Sequence, residues 1–335
     1  SIHHPISADM ISGVKTIPPI FDDDDVYYNR SDDNKGTRTA MRNFHNWLKK
    51  MLISKVANRG DTLIDLAVGK GGDIPKWITA KLKFVLGIDY SRDNIENRLN
   101  GVCARYLNAN KQHYNVPKGL FVHGNSSVNI RNTDGIFTDK GKQIVNAIFG
   151  KGTKNESELG SGVYNNYGIG ADGFDICSIQ IANHYMFEPQ KTLHQFLRNV
   201  SETTKLGGYF IGTSYDGATI FNKLATKKKG ESDTVMENGK KIWQVTKQYD
   251  RNEFPSDSSC VGYGIDVYQD SINKTFREYL VNYDHLTRLL ENYGFVLLSQ
   301  DEIKQKLAES ILFGDLAKEG GVAKVSVKKE KLLKK

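Results

Sequence analysis

The residues best placed to do chemistry close an apolar, β-branched run: in TLIDLAVGKGGD, Thr62 to Asp73, Asp65 is followed by Ala67, Gly69, Gly71 and Gly72. A strand that ends at an acidic residue and breaks into glycines before a helix presents bare backbone N–H groups to a ligand that side chains would otherwise hold away. That is the chemistry of a nucleotide-type cofactor site. A dinucleotide loop wants G-x-G-x-x-G, which Ala67-x-Gly69-x-x-Gly72 meets with alanine in the first place. An S-adenosylmethionine loop wants an acidic residue and then small residues at every second position. Asp65-x-Ala67-x-Gly69-x-Gly71 meets that pattern with the same substitution. A second strand, Phe84 to Ile88, delivers Asp89, whose carboxylate can accept both ribose hydroxyls in either class. The loop alone leaves the two cofactors open.

These groups need a scaffold, and the chain supplies an alternating one. Strand signals at 61–67, 84–89, 119–123, 174–180 and 208–213 are interleaved with helical signals at 72–81, 92–109, 141–148 and 189–205. Alternation of this kind makes a parallel sheet with helices on both faces and ligands at the carboxyl ends of the strands. Ahead of the sheet, Phe44, Trp47, Leu48, Met51 and Leu52 form one apolar stripe on a helix over 42–57. Asn43, Asn46, Lys49 and Lys50 lie off that stripe, where polar residues are by default a solvated face. The glycine-rich stretch from about 129 to 173 reads as an insertion. After Thr213 the pattern turns antiparallel, with Asn238-Gly239 as a hairpin turn leading into Lys241 to Tyr249. A strand from Arg277 to Tyr283, a helix over 284–293 closed by Gly294 and a strand from Phe295 to Ser299 read as the units that complete the sheet.

A net charge of +7 suits a polyanionic partner. Cys103, Cys177 and Cys260 lack CxxC spacing, which argues against zinc and against a disulfide framework, and for a reducing, intracellular compartment. No apolar run approaches the roughly 18 residues of a membrane span. Residues 1–36, with the acidic run Asp22 to Asp25, read as a flexible leader, and 313–335 as a basic tail. Because the chain opens on Ser1, it reads as a domain of something longer.

Five segments stand in a telling order: RNFHNWLK (Arg42 to Lys49), DLAVGKGGDIPKW (Asp65 to Trp77), FDICSIQIANHYMF (Phe174 to Phe187), LGGYFIGT (Leu206 to Thr213) and EYLVNY (Glu278 to Tyr283). In that order the chain resembles the mRNA cap guanine-N7 methyltransferases, over about Arg42 to Ser299. The acidic leader followed by VYYNR (Val26 to Arg30) looks like the junction ahead of the C-terminal methyltransferase domain in the capping enzymes of large DNA viruses. The resemblance implies a class I methyltransferase, Rossmann-like α/β fold: a mostly parallel seven-stranded sheet flanked by helices, with an inserted antiparallel hairpin region. It sets the methyltransferase domain at 37–312, with a cap-side insertion at about 228–276. S-adenosylmethionine is the implied cofactor, leaving as S-adenosylhomocysteine, and 5′-capped RNA the implied partner. Other capping domains in the same chain or a stimulatory subunit are further partners, and host cytoplasm, virion or nucleus the implied settings.

Roles carry over position by position. On the cofactor side the resemblance implies Lys49 at the methionine carboxylate, Ala67 and Gly69 along the donor, Asp89 on the ribose and Asn125 near the adenine. Gln180 and Tyr185 border the cofactor as well. On the substrate side it implies Lys70, Lys76 and Arg105 at the cap triphosphate, Arg98 being a rival for the last. His45 and Asn46 are implied cap contacts, His184 lies beside the guanine, and Glu278 reads the base's two adjacent donors. Relatives close with an aromatic strand that places a tyrosine near the cap, but VAKVSVKKEKLLKK (Val322 to Lys335) has no aromatic residue. Either that contact is lost or another tyrosine replaces it.

Guanine N7 has a lone pair and no proton to remove, so transfer from a sulfonium is an in-line displacement that needs no general base. His184, Tyr185 and Glu278 are then catalytic only by positioning, and no metal is called for. Two other readings remain. A nicotinamide oxidoreductase would need a second mononucleotide-binding half, whereas the sequence after Thr213 turns to hairpins. A degenerate RNA-binding subunit would ordinarily have lost the cofactor loop, whereas Gly69, Gly71, Gly72 and Asp89 remain.

Overall fold

A computed structural model describes residues 36–270, 272–299 and 301–302. The acidic run, VYYNR and the basic tail lie outside the described residues. Those described fall into two compact units, one built from 52–180 and 198–212, the other from residues up to 51, from 181–197 and from 213 onward.

The first unit is a parallel sheet of five strands in the order β3-β2-β1-β4-β5: β1 Thr62–Asp65, β2 Phe84–Asp89, β3 Lys118–His123, β4 Phe174–Gln180 and β5 Thr204–Thr213. β1 pairs parallel with both β2 and β4, Ile64 standing opposite Leu86 on one side and Cys177 on the other. Every residue of β1 and β2 is buried, as strands covered on both faces must be, which is why they read as unbroken apolar runs. Ile53, Trp77, Val85, Val102 and Phe121 pack in one cluster on this sheet. Burying each such side chain is worth roughly 1.5–3 kcal/mol.

The helices depart from expectation in instructive ways. The helix expected over 92–109 is two, α3 (Arg92–Glu96) and α4 (Val102–Gln112), which here follow α1 (Gly36–Val56) and α2 (Ile74–Thr79). Asn97 breaks it: its side chain donates to Asp93 and accepts from the Leu99 and Asn100 amides, a local alternative to the helical ladder. The glycine-rich segment is ordered and contributes to the core of this unit. It contains α5 (Asp139–Ile148), flanked in sequence by β3 and β4, and it buries Ile130, Ile144, Val145, Phe149, Leu159 and Val163. The segment therefore belongs to the connection from edge strand β3 to β4, which lies beyond β2 and β1 in the sheet.

The second unit holds an antiparallel sheet in the order β6-β7-β8-β9: β6 Ser232–Glu237, β7 Lys240–Lys247, β8 Gly264–Gln269 and β9 Lys274–Tyr279. Asn238 (φ 50°) and Gly239 (φ 76°) form the β6–β7 turn, both in the left-handed region a type I′ hairpin demands. Two expectations fail here. The strand expected at 277–283 is β9, paired antiparallel with β8 rather than completing the parallel sheet. No strand forms at 295–299, where Val296 is 86% and Leu297 68% exposed, so the expected seven-stranded sheet has five strands among the described residues. An apolar run becomes a strand only where a ladder accepts it.

Candidate active site

In the first unit the glycine turn joins β1 to α2. Asp65 is buried and accepts the Ala67 amide at 3.1 Å. The turn is held to the end of β2 by Asp89, whose carboxylate accepts Gly69 N–H at 2.7 Å, Ser91 N–H at 2.9 Å and Asn94 Nδ2 at 2.9 Å. Burial pushes the Asp89 pKa up against the pull of those three bonds. A carboxylate has about four acceptor positions, so one remains for a further donor such as a ribose hydroxyl. The glycines divide the labour. Gly71 has φ +71°, and a Cβ there would meet Val102 Cγ2 at 2.7 Å, so its bareness serves helix packing. Gly69 has φ +54° and open space where a Cβ would be.

The cations of this turn are engaged with the protein itself. Lys70 is buried, its ammonium 2.6 Å from Asp93 and 2.8 Å from Asn100. Lys76 reaches Asp73 at 2.8 Å and the Gly72 carbonyl at 2.9 Å. Arg105 donates to the Lys70 carbonyl at 2.9 Å, while Arg98 is exposed on the α3–α4 link, so of the two rivals the structure brings Arg105 to the turn. Asn125, just past β3, uses its Oδ1 on the Ser127 amide and hydroxyl. Its acceptor is thereby spent, and the NH2 is what it can offer an adenine edge. Gln180 ends β4, buried, with Nε2 on Ser178 at 3.1 Å.

In the second unit, a 3₁₀ turn over Asn183–Phe187 carries His184 and Tyr185, whose rings meet edge-on at 4.3 Å. Glu278 lies on the covered face of β9, opposite Ile265, while Thr275 and Arg277 are exposed. His184 Nε2 and Glu278 Oε2 are 3.7 Å apart, too far for a hydrogen bond. They are not an ion pair either. Burial drives His184 down to about 3 and Glu278 up to about 8, so both are neutral at pH 7. Both His184 nitrogens, Glu278 Oε2 and Asn183 Oδ1 are buried without a hydrogen-bond partner. His45, Asn46 and Lys49 are half-buried on α1.

Sequence reasoning missed several members of these clusters. Ser91 and Asn94 were readable, since Ser91 caps α3 by accepting the Asn94 amide, a Ser-x-x-Asn helix start two residues after Asp89. Asp93 follows from the same helix. Asn183 and the Tyr215–Trp243–Gln269 group carry no sequence signal, because their meeting depends on the register of β7 and β8.

A five-stranded parallel sheet, a glycine turn after its first strand and a carboxylate closing its second define a Rossmann-like nucleotide-cofactor domain with an antiparallel addition. The mRNA (guanine-N(7))-methyltransferase domain model matches residues 26–318, and the chain belongs to that family. It is 29% identical over 321 residues to a probable mRNA-capping enzyme of Acanthamoeba polyphaga mimivirus, a match covering 90% of this chain and 26% of that protein. It is 27% identical over 285 residues to the mRNA cap guanine-N(7) methyltransferase of Saccharomyces cerevisiae, covering 82% of this chain and 55% of that one. The chain thus spans about a quarter of the viral relative and just over half of the yeast one. Among solved structures it is similar to the CcbJ methyltransferase from Streptomyces caelestis, at a TM-score of 0.45 and 12% identity over 76% of this chain and 80% of that one.

Proposed function

We propose that this domain transfers a methyl group from S-adenosylmethionine to N7 of the guanine that caps mRNA, by in-line displacement without a general base. The observation that carries the reading is the buried, unsatisfied polar cluster on the 3₁₀ turn and β9. Native proteins leave few such atoms, and each calls for an explanation. A flat base with donors and acceptors on adjacent edges supplies one. Glu278, as a carboxylate, offers two acceptors to the N1–H and exocyclic amine of guanine, a donor pair adenine lacks. His184 and Tyr185 border the base and hold its plane, and His45 and Asn46 add cap contacts.

The residues of the first unit fit S-adenosylmethionine: open space at Gly69, a remaining acceptor on Asp89 for a ribose hydroxyl and a spare Asn125 NH2 for adenine. When bound, that group supplies an electrophilic sulfonium methyl. Ala67 and Gly69 line it, Gln180 and Tyr185 border it, and Lys49 takes its carboxylate. Lys70, Lys76 and Arg105 serve the triphosphate, the two lysines at the cost of sharing or leaving a carboxylate. We place the methyltransferase domain at 37–312, with the antiparallel sheet as its cap-side insertion, and infer an intracellular protein that works beside further capping domains or a stimulatory subunit. Among the described residues no helix is long and apolar enough to cross a membrane.

The test is incubation with GpppG-capped RNA and labelled S-adenosylmethionine, followed by nuclease release of the cap. Label in 7-methylguanosine is expected. Binding of S-adenosylhomocysteine without transfer would overturn the enzyme reading in favour of a scaffold, and tight NAD binding without response to the thioether would overturn the cofactor.

A further inference from the structure

At the amino end of the parallel sheet three loops lie side by side, tied by backbone hydrogen bonds: Gly60 N–H donates to the Lys81 carbonyl at 2.9 Å, Lys83 N–H to Asp61 at 2.8 Å and Lys118 N–H to Lys83 at 3.0 Å. They set Arg59, Lys81, Lys83 and Lys118, all exposed, along the row of β1, β2 and β3, whose neighbours stand about 4.8 Å apart. Lys118 is opposite Phe84 in the β2–β3 register, so it and Lys83 project to the two sides of the sheet's end. Lys111, exposed in the last turn of α4, adds a further cation. The only carboxylate in 57–61, 81–84 and 111–119 is Asp61, and it is turned back on its own loop, accepting the Asn58 amide at 2.7 Å. Among the described residues none of these cations forms an ion pair or a side-chain hydrogen bond. The β4–β5 half of the same end is different, because there Lys205 is 2.7 Å from Asp175. The link from α4 to β3 also carries Tyr114, whose ring is fully exposed between Lys111 and Lys118. Buried Tyr106 fixes that link, its hydroxyl donating to the Pro117 carbonyl at 2.9 Å.

Lysines near helix C-termini ordinarily answer the helix dipole, and Lys111 and Lys81 stand at the ends of α4 and α2. Lys83 and Lys118 stand at strand starts and have no such duty. Lys81 is moreover left-handed, at φ 55°, where glycine would be the unstrained choice, so its side chain is kept at a backbone cost. Unpaired cations spaced along an edge beside an exposed aromatic ring are the two components of a single-stranded nucleic-acid site. The charges follow the phosphates, and the ring stacks on a base whatever its sequence. We propose that this end of the parallel sheet binds the body of the transcript, with Lys83 and Lys118 meeting phosphates and Tyr114 stacking on a base. The inference rests on the reading that capped RNA is the substrate. From Phe84 to Asp89 β2 runs about 17 Å, which puts the patch at the opposite end of the sheet from the cofactor turn. A cap dinucleotide engaged at that turn leaves the patch untouched, whereas a transcript extends beyond it. The patch therefore adds affinity for long RNA and takes no part in the transfer step.

The experiment measures anisotropy of a fluorescein-labelled, uncapped RNA of roughly 20 nucleotides, longer than the about 4–16 that a single-stranded site spans, from about 0.1 to about 1 M salt. Wild type is compared with Lys83→Gln plus Lys118→Gln, with Tyr114→Ala, and with a control, Lys142→Gln plus Lys191→Gln, that removes the same charge from two other helices. Loss of two phosphate contacts should lower the slope of log Kd against log salt by roughly 1.4, at about 0.7 per contact. Binding should then be about 25-fold weaker at about 0.1 M salt and converge with wild type near 1 M. Tyr114→Ala should weaken binding about fivefold or more at every salt concentration, with the slope unchanged. In methyl transfer each patch variant should raise KM for a capped RNA of the same length while kcat, and KM for GpppA, stay within about twofold. Three results would overturn the proposal: a control pair that loses as much as the patch pair, patch variants that bind RNA like wild type, as a surface for an acidic protein would, or a KM for GpppA that rises in step with that for long RNA. A wild type that binds RNA with this signature yet transfers no methyl group would overturn the function proposed above and support the RNA surface.

Discussion

Affinity for the cap should rise with pH across a range in which an ordinary carboxylate is already fully ionised. Burial holds Glu278 up at about 8, and guanine offers it two donors, so only the carboxylate satisfies the base. The charged fraction is then about 1 in 100 at pH 6, about 1 in 11 at pH 7 and about half at pH 8, and apparent affinity scales with it. Kd for GpppA should fall about tenfold from pH 6 to 7 and about fivefold from 7 to 8, with most of one proton released per cap bound at pH 7. His184, driven down to about 3, adds nothing in this window. Calorimetry in two buffers of different ionisation enthalpy measures both quantities. In steady state the dependence should sit in KM while kcat at saturating cap stays flat, since no proton moves in the transfer. Glu278→Gln should bind weakly and without slope. The sign on stability runs the other way: a raised folded pKa stabilises in full below the ordinary value near 4.5 and is lost as pH rises through about 8. Full ionisation of the cap-free protein therefore costs at most about 5 kcal/mol, and Glu278→Gln should melt above wild type at pH 8.5. A wild-type Kd that is flat from pH 6 to 8, or a slope that survives Glu278→Gln, would refute the reasoning.

Three further outcomes follow from the first unit. Asp89→Asn keeps one acceptor oxygen and turns its NH2 toward either the Gly69 amide or the Ser91 and Asn94 donors, and should cost about 2–4 kcal/mol of stability and most of the affinity for S-adenosylhomocysteine, read by calorimetry; wild-type affinity would count against the ribose assignment. Lys70→Met leaves buried Asp93 without its cation and should cost about 3–5 kcal/mol, most of it recovered by adding Asp93→Leu. If that double variant methylates like wild type, Lys70 is structural and not a triphosphate ligand. Gly71→Ala should lower the urea midpoint by the equivalent of about 2 kcal/mol or more, from left-handed backbone and the Val102 clash, without a selective effect on cofactor. Gly69→Ala should cost only about 1 kcal/mol of stability and show its effect in the cofactor titration.

What the amino-acid sequence discloses here is whatever depends on local pattern. β2 lies at Phe84–Asp89 as its apolar run indicates, and α1, α5, α6 (Gln190–Thr203) and the Asn238-Gly239 hairpin each follow from periodicity or a turn pair. The break between α3 and α4 was hidden because Asn97 opposes the helix with side-chain hydrogen bonds that periodicity does not register. β8 went unread, and β9 was assigned to the wrong sheet, because a strand's partner is fixed by non-local pairing. The same limit governs the site. Asp89 and the glycine turn are contiguous with their strands and legible, and so were the types of His184 and Glu278. That Glu278 points to the covered face, and that Tyr215 is pinned by Trp243 and Gln269, are properties of register.

Glu278 and His184, with pKa values moved far in opposite directions and 3.7 Å between them, have the outward marks of an acid–base pair. The causes say otherwise. Each displacement comes from burial alone, with no contribution from the other residue, and burial without mutual coupling neutralises both groups instead of poising one to take the other's proton. An active acid–base pair would also need a proton to move, and guanine N7 has none to give. The displaced values then report a desolvated pocket, which suits the neutral, hydrogen-bonding base proposed for it. On that account ionisation of Glu278 belongs to recognition: the proton leaves when guanine's two donors arrive to replace the water the carboxylate lost on folding. On the proposed function, methylation would then place positive charge on the ring beside that same carboxylate, a favourable Coulomb interaction that grows as N7 reacts. A residue that makes no chemical bond and moves no proton in the transfer can thus favour the transition state over the bound substrate, through charge it acquired on binding.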